Sequence, residues 1–281
     1  MASKNSGRKQ APPGGAGTSR REALRQAQAA QAAHQRRVRM ALIIVCAVAI
    51  IAVIVVVALG ATGRLSPGKD EPTATNLGEQ ITPPHANDDG SGILSPLNTS
   101  DSAPTLVVYE DYQCPICQTY EQQLGPVFRS LAASGKIRIE YRTRIFLDRN
   151  LEQVNAANGT PESSKRAAMA AVCADEVGRF QEYHDAAYAA APAQEGDGYP
   201  VQQLREEIAE AAGITGDDLT RFQSCVDQNQ AQSFVENVEQ AGMDAGVTAT
   251  PTFQVNGNPV SFQGVDIKSE ESVLEAIRAA A

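Results

Sequence analysis

Thr105-Leu-Val-Val-Tyr-Glu-Asp-Tyr-Gln-Cys-Pro-Ile-Cys117 is an apolar run that leads into two cysteines separated by two residues. Thr105 to Glu110 has the length and composition of a buried strand. Beyond it, Cys117, Tyr120, Leu124, Val127, Phe128 and Leu131 recur at helical spacing, with a kink expected at Gly125-Pro126. Cys114 and Cys117 therefore stand where a strand gives way to a helix. Unpaired N–H groups and the positive end of the helix dipole favour an anion there, so Cys114 is expected to have a depressed pKa. Thiolate, not thiol, attacks a disulfide. Cys117, one turn further in, is placed to displace a mixed disulfide and is expected to be more buried. Pro115 suits the first helical turn, where its missing N–H has no partner to lose. A structural disulfide and half of a zinc site are the blander readings. Zinc needs two more ligands, and neither His85 nor His184 has ligand spacing with a second pair, so no metal is expected.

Ile137, Ile139, Tyr141, Thr143 and Ile145 alternate with polar residues, the pattern of a half-buried strand. Residues 162–190 and 201–246 read as mostly helical, broken near Pro192–Pro200 and Gly213–Gly216. Thr252–Val255, Asn256-Gly257 and Val260-Ser-Phe262 form a strand–turn–strand signal, Asn-Gly being the strongest short hairpin marker. Residues 269–278 close as an amphipathic helix presenting Val273, Leu274 and Ile277. The expected order is βαβ, then helices, then ββα, an α/β fold.

Toward the N-terminus the chain changes character. The net charge of −9 over 281 residues is an average of unlike parts. Residues 1–39 hold nine basic residues against one acidic, whereas residues 60–281 hold 15 basic against 32 acidic. The acidic bulk argues against a nucleic-acid partner. Residues 40–59, MALIIVCAVAIIAVIVVVAL, carry no charge and at 1.5 Å per residue reach about 30 Å, the thickness of a bilayer core. Arg36, Arg37 and Arg39 abut this span on one side only, which orients the N-terminus to the cytoplasm. The expected organisation is a cytoplasmic basic tail (1–39), a transmembrane signal-anchor (40–60), an extracytoplasmic linker (61–102) and a domain (103–281) with a helical insertion at about 150–245. Within the linker, Ile93-Leu94 reads as a short first strand. Cleavage near Ala58-Leu59-Gly60 is the competing reading, but both the leading segment and the apolar core are long for a signal peptide.

Of the five cysteines, Cys46 lies in the apolar span and reads as packing. Cys173 and Cys225 would each read alone as a buried apolar residue. As a pair, in an oxidising compartment, they read as a second disulfide worth about 2–4 kcal/mol.

Three segments carry a resemblance: Val107–Cys117, the Phe180-Gln-Glu-Tyr-His184 helix, and Gly246-Val-Thr-Ala-Thr-Pro-Thr-Phe-Gln-Val-Asn-Gly257. Over residues 103–281 the chain resembles the DsbA-like thiol:disulfide oxidoreductases, and most of all their membrane-anchored actinobacterial versions. The resemblance implies a thioredoxin fold with an inserted helical domain, Cys114 and Cys117 as the catalytic pair, and a structural role for Cys173–Cys225. It further implies a cis Pro251 facing Cys114-Pro115-Ile116-Cys117, with the Thr250 backbone open to a substrate chain. The activity expected is introduction of disulfides into exported polypeptides. Reoxidation would fall to a membrane partner of the DsbB or vitamin K epoxide reductase-like type, and no cofactor is needed. A reductase or isomerase, and a non-catalytic binding module, are the alternatives. A monomer is expected. Where many oxidising relatives have His, this chain has Ile116, which offers no hydrogen bond, so weaker thiolate stabilisation is expected. Glu110 and Asp111 would raise the Cys114 pKa if they faced it. Phe180, Tyr183 and His184 read as packing.

Overall fold

The computed structural model describes residues 77–98, 100 and 102–281. The expected cytoplasmic tail and membrane span lie outside the described residues, among which no helix is long and apolar enough to cross a membrane.

The chain enters as an extended strap. Gly78 N–H donates to the Gln228 carbonyl (2.8 Å) and Ile81 N–H to the Gln230 carbonyl (2.9 Å). Asp175 then receives His85 twice, from its backbone N–H (2.9 Å) and at its ring Nδ1 (2.7 Å). The strap ends in β1 (Ile93–Leu94), the short strand expected there. Residues 77–98, linker by composition, are thus built into the domain. Their Pro, Gly and Asn content serves turns that pack on other elements.

β2 (Thr105–Glu110), α1 (Pro115–Ala133) and β3 (Arg138–Thr143) form the expected βαβ unit, with β2 and β3 parallel. α1 runs through Pro126 without interruption. A Cβ at Gly125 would collide with the Glu121 carboxylate, which curls back along the helix to pair with Arg129. The inserted helices are α2 (Leu147–Ala157), α3 (Ser163–Asp175), α4 (Phe180–Ala189), a π-helical turn (Gln203–Glu207) leading into α5 (Ile208–Ala211), α6 (Gly216–Asp227) and α7 (Gln232–Asp244). α3 is the centre of this group. Ala167, Ala168, Ala170, Ala171 and Ala174 are all buried, and their small side chains let α4, α6 and α7 approach closely.

The chain then returns to the sheet as β4 (Thr252–Val255) and β5 (Asn258–Pro259), and closes with α8 (Glu270–Arg278), capped by the Ser269 hydroxyl. The sheet order is β1-β3-β2-β4-β5, every pairing but β2–β3 antiparallel. The turn between β4 and β5 takes positive φ at Asn256 (52°) and Gly257 (79°), which is why Asn-Gly marks it. The second hairpin strand is Asn258–Pro259, earlier than the Val260–Phe262 expected. Phe262 instead turns into the core, its ring 5.4 Å from Phe128 and 5.1 Å from Phe253.

Cys173 on α3 and Cys225 on α6 form a disulfide, with Cα atoms 5.7 Å apart and a sequence separation of 52. Closing a loop of that size removes freedom chiefly from the unfolded chain. Replacing both by Ala is expected to lower unfolding free energy by about 2–4 kcal/mol in urea titration. A loss below about 0.5 kcal/mol would show that the loop is held by packing alone.

Candidate active site

β2, the central strand, ends at Glu110, and the chain turns through Asp111-Tyr112-Gln113 before α1 begins. The turn is built on one buried carboxylate. Asp111 Oδ1 accepts from Gln113 N–H (2.9 Å) and the Ser164 hydroxyl (2.7 Å), while the Asp111 carbonyl accepts from Cys114 N–H (3.0 Å). Burial, only partly offset by these donors, pushes the Asp111 pKa up to about 8.

Cys114 is the N-cap of α1, with Pro115 in the first turn. Its sulfur occupies the position of a capping oxygen and accepts from the Cys117 N–H at 3.5 Å. Both cysteines are free thiols. The Cys117 thiol, then the Cys117 N–H, the Thr250 side chain and the Ile116 N–H, hold the Cys114 pKa down at about 6 against the opposing effect of burial. Burial, and then the neighbouring Cys114 sulfur, push Cys117 well above the ordinary thiol range. The asymmetry expected from position on the helix is present.

The Thr250–Pro251 peptide bond is cis, and the Thr250 carbonyl lies 3.5 Å from Cys114 Sγ. Cys114, Pro115, Ile116, Cys117, Thr250 and Pro251 therefore meet at one place, although Thr250 lies 136 positions after Cys114 in the sequence. Cys173 and Cys225 stand apart from it, within the insertion. Ile116 is 58% exposed, and its backbone N–H bears on the thiolate.

Glu110 and Asp111 do not point to solvent; both are buried, and neither is among the principal influences on Cys114. Glu110 lies under Cys117 instead. A cavity of about 10 Å³, about the size of one water, is lined by Cys117, Glu110, Glu121 and Pro251 with apolar neighbours. Glu110 Oε1 is 2.8 Å from His184 Nε2, reaching in from α4. His184 packs among Tyr112, Tyr141 and Tyr188 as expected, with ring centroids 4.4–5.9 Å away, yet it is also one half of a buried ion pair. Burial opposes its charge, but the Glu110 carboxylate and then Asp185 raise its pKa to about 10. Glu121, raised by burial, completes the group beside Arg129. Glu110, Glu121 and His184 bring potential ligand atoms within 4.8 Å of one another, and all three residues are engaged in the ion pairs described above. Sequence reading missed this network, because nothing local pairs a strand-end glutamate with a histidine 74 residues on.

Two pH dependences follow. Alkylation of reduced Cys114 by iodoacetamide is expected to rise through a midpoint near pH 6, with Cys117 silent until well above pH 9. In Cys117→Ala the midpoint is expected to move upward, and an unmoved midpoint would remove Cys117 as the chief donor. His184 is raised from 6.5 to about 10, so its charge stabilises the fold fully below pH 6.5 and loses that effect as pH rises through about 10. His184→Gln, measured in the oxidised protein where the active-site cysteines do not titrate, is expected to cost about 3–5 kcal/mol at pH 6. The gap to wild type should close toward pH 10, and a constant gap would show that His184 is not charged.

Comparison with known proteins agrees with this geometry. The sequence family described as Thioredoxin matches residues 99–278. The thiol-disulfide oxidoreductase MdbA of Actinomyces oris superposes with a TM-score of 0.56 at 16% identity, over 75% of this chain and 99% of that one. BdbD of Bacillus subtilis gives 0.53 at 18% identity, over 73% and 98%. MdbA of Corynebacterium diphtheriae gives 0.51 at 18% identity, over 75% and 100%. At these identities the likeness is one of fold. No curated protein matches. A match over more than half of its length, on a chain with this sheet order and a C-x-x-C pair at the start of α1, shows that the protein belongs to the thioredoxin family.

Proposed function

We propose that the protein is an extracytoplasmic thiol:disulfide oxidoreductase that introduces disulfides into exported polypeptides. The observation that carries the proposal is the unequal pair: a Cys114 sulfur with a pKa of about 6 at the start of α1, backed by a buried Cys117 whose thiol is hard to ionise.

The exchange runs as follows. With Cys114 and Cys117 oxidised, a substrate thiolate attacks Cys114 Sγ. A substrate–Cys114 disulfide forms, the Cys114–Cys117 bond breaks, and Cys117 leaves with the electron pair. Its high pKa means that it takes up a proton, for which the cavity with Glu110 and Glu121 offers a route. A second substrate thiolate then attacks the substrate sulfur, releasing the oxidised polypeptide and the Cys114 thiolate. Two electrons now reside on Cys114 and Cys117. The cysteines carry them, so no cofactor is invoked. A quinone-linked membrane partner of the DsbB or vitamin K epoxide reductase-like type removes them. The Thr250 main chain, facing Cys114, receives the substrate backbone beside Pro251.

Stabilising the Cys114 thiolate stabilises the reduced protein and makes its disulfide the stronger oxidant, by about 30 mV for each unit of pKa. This favours the oxidising direction. Ile116, which gives the sulfur no side-chain hydrogen bond, favours the reductase or isomerase alternative. The charge asymmetry around residues 40–59 supports a signal-anchor with residues 1–39 in the cytoplasm and the domain outside.

The Cys114–Cys117 potential, measured against glutathione, separates the directions. A value well above that of thioredoxin, about −270 mV, is expected, and a value near it would replace the oxidase by a reductase. In cells, Cys117→Ser is expected to accumulate mixed disulfides through Cys114. A folded variant that traps none would leave only a non-catalytic binding module.

A further inference from the structure

Arg144 follows β3 directly and is buried to 2% exposure. Its Nε and Nη2 donate to the two carboxylate oxygens of Glu239 on α7, at 2.8 and 3.2 Å. Its Nη1 donates to the Val247 carbonyl at 2.7 Å. Glu239 is held in turn by the Ile145 N–H (3.0 Å) and by Arg149 Nη2 (3.1 Å). α7 is shaped around the guanidinium, because a Cβ at Gly242 would lie 2.6 Å from Arg144 Nε. Val247 stands three residues before Thr250, and Thr248 and Ala249 between them are exposed. On the far side the Thr252 hydroxyl donates to the Ala249 carbonyl at 2.7 Å. The segment facing Cys114 is therefore moored to the sheet and the inserted helices through Arg144.

A buried ion pair is weak support for stability, since apolar residues of the same volume often do as well. A planar guanidinium with three acceptors, however, sets both the distance and the orientation of what it holds. We propose that Arg144 is a positioning residue for the polypeptide substrate: through the Val247 carbonyl it holds residues 247–250 so that the Thr250 main chain meets the substrate backbone beside Cys114. The inference rests on the thiol-exchange reading above. Arg144 donates no hydrogen bond to either active-site sulfur, so its loss reaches Cys114 only through Thr250 and falls chiefly on docking.

The test uses the full-length oxidised chain, with excess glutathione disulfide to reoxidise Cys114 and Cys117 after each turnover, and two thiol substrates, a dithiol peptide that offers a backbone and dithiothreitol that does not. Arg144→Lys keeps the charge beside Glu239 but loses the fork. It is expected to raise the peptide KM about tenfold, while the dithiothreitol rate, which reads any effect of Thr250 on the Cys114 sulfur, falls several-fold less. Gly242→Ala keeps every charge and displaces the guanidinium, and is expected to give the same signature; if Arg144→Lys does not fold, it decides alone. An unchanged peptide KM in the folded variants, or an equal loss with both thiols, overturns the positioning role while leaving the exchange reading in place. A wild-type chain inert toward both thiols overturns the exchange reading, and this proposal with it.

Discussion

A sulfur atom caps α1. Where a helix start ordinarily finds a serine or aspartate oxygen, the Cys114 sulfur accepts the Cys117 N–H, and the same donors that close the helix hold its charge. Structure and chemistry are one interaction here. The turn before the helix has to deliver the sulfur to that position. It does so through Asp111, a carboxylate tied to Gln113, Ser164 and Leu147 and so shared between the sheet and the insertion. Geometry at Cys114 thus depends on α3 being in place, and α3 depends on the helices packed around its alanine rows.

Burying charge beneath such a site is costly unless each charge has a partner. Glu110 has His184, Glu121 has Arg129, and Glu239 has Arg144. In the first and last of these pairs one partner comes from the sheet side and the other from the inserted helices. The insertion is therefore more than a lid on the sheet: it supplies the cation that neutralises Glu110 under Cys117 and the carboxylate that neutralises Arg144 beside the loop carrying Thr250.

Much of this was legible in advance. The apolar run of β2, the helical recurrence of α1, the alternation of β3 and the Asn256-Gly257 turn are patterns that each fit within a dozen residues, and they yield the element order directly. The strap was not legible, because its proline- and glycine-rich composition is that of a linker. Only its hydrogen bonds to Gln228, Gln230 and Asp175 make it part of the domain. His184 read as packing because its neighbours on α4 are aromatic, and Arg144 drew no reading of its own. Neither position carries a local sign that its partner is a glutamate 74 or 95 residues away.

By itself, the sequence determined the strand-to-helix junction that holds Cys114 and Cys117, the order of elements around it and the presence of a paired Cys173 and Cys225. Helix termini, periodicity and turn chemistry act over short stretches of chain. The tertiary structure alone decided that Thr250 faces the Cys114 sulfur, that Glu110 turns inward beneath Cys117, and that two buried cations neutralise acids supplied by other segments. Those outcomes depend on which distant surfaces exclude water from one another, and a buried charge has no stable place until its partner arrives.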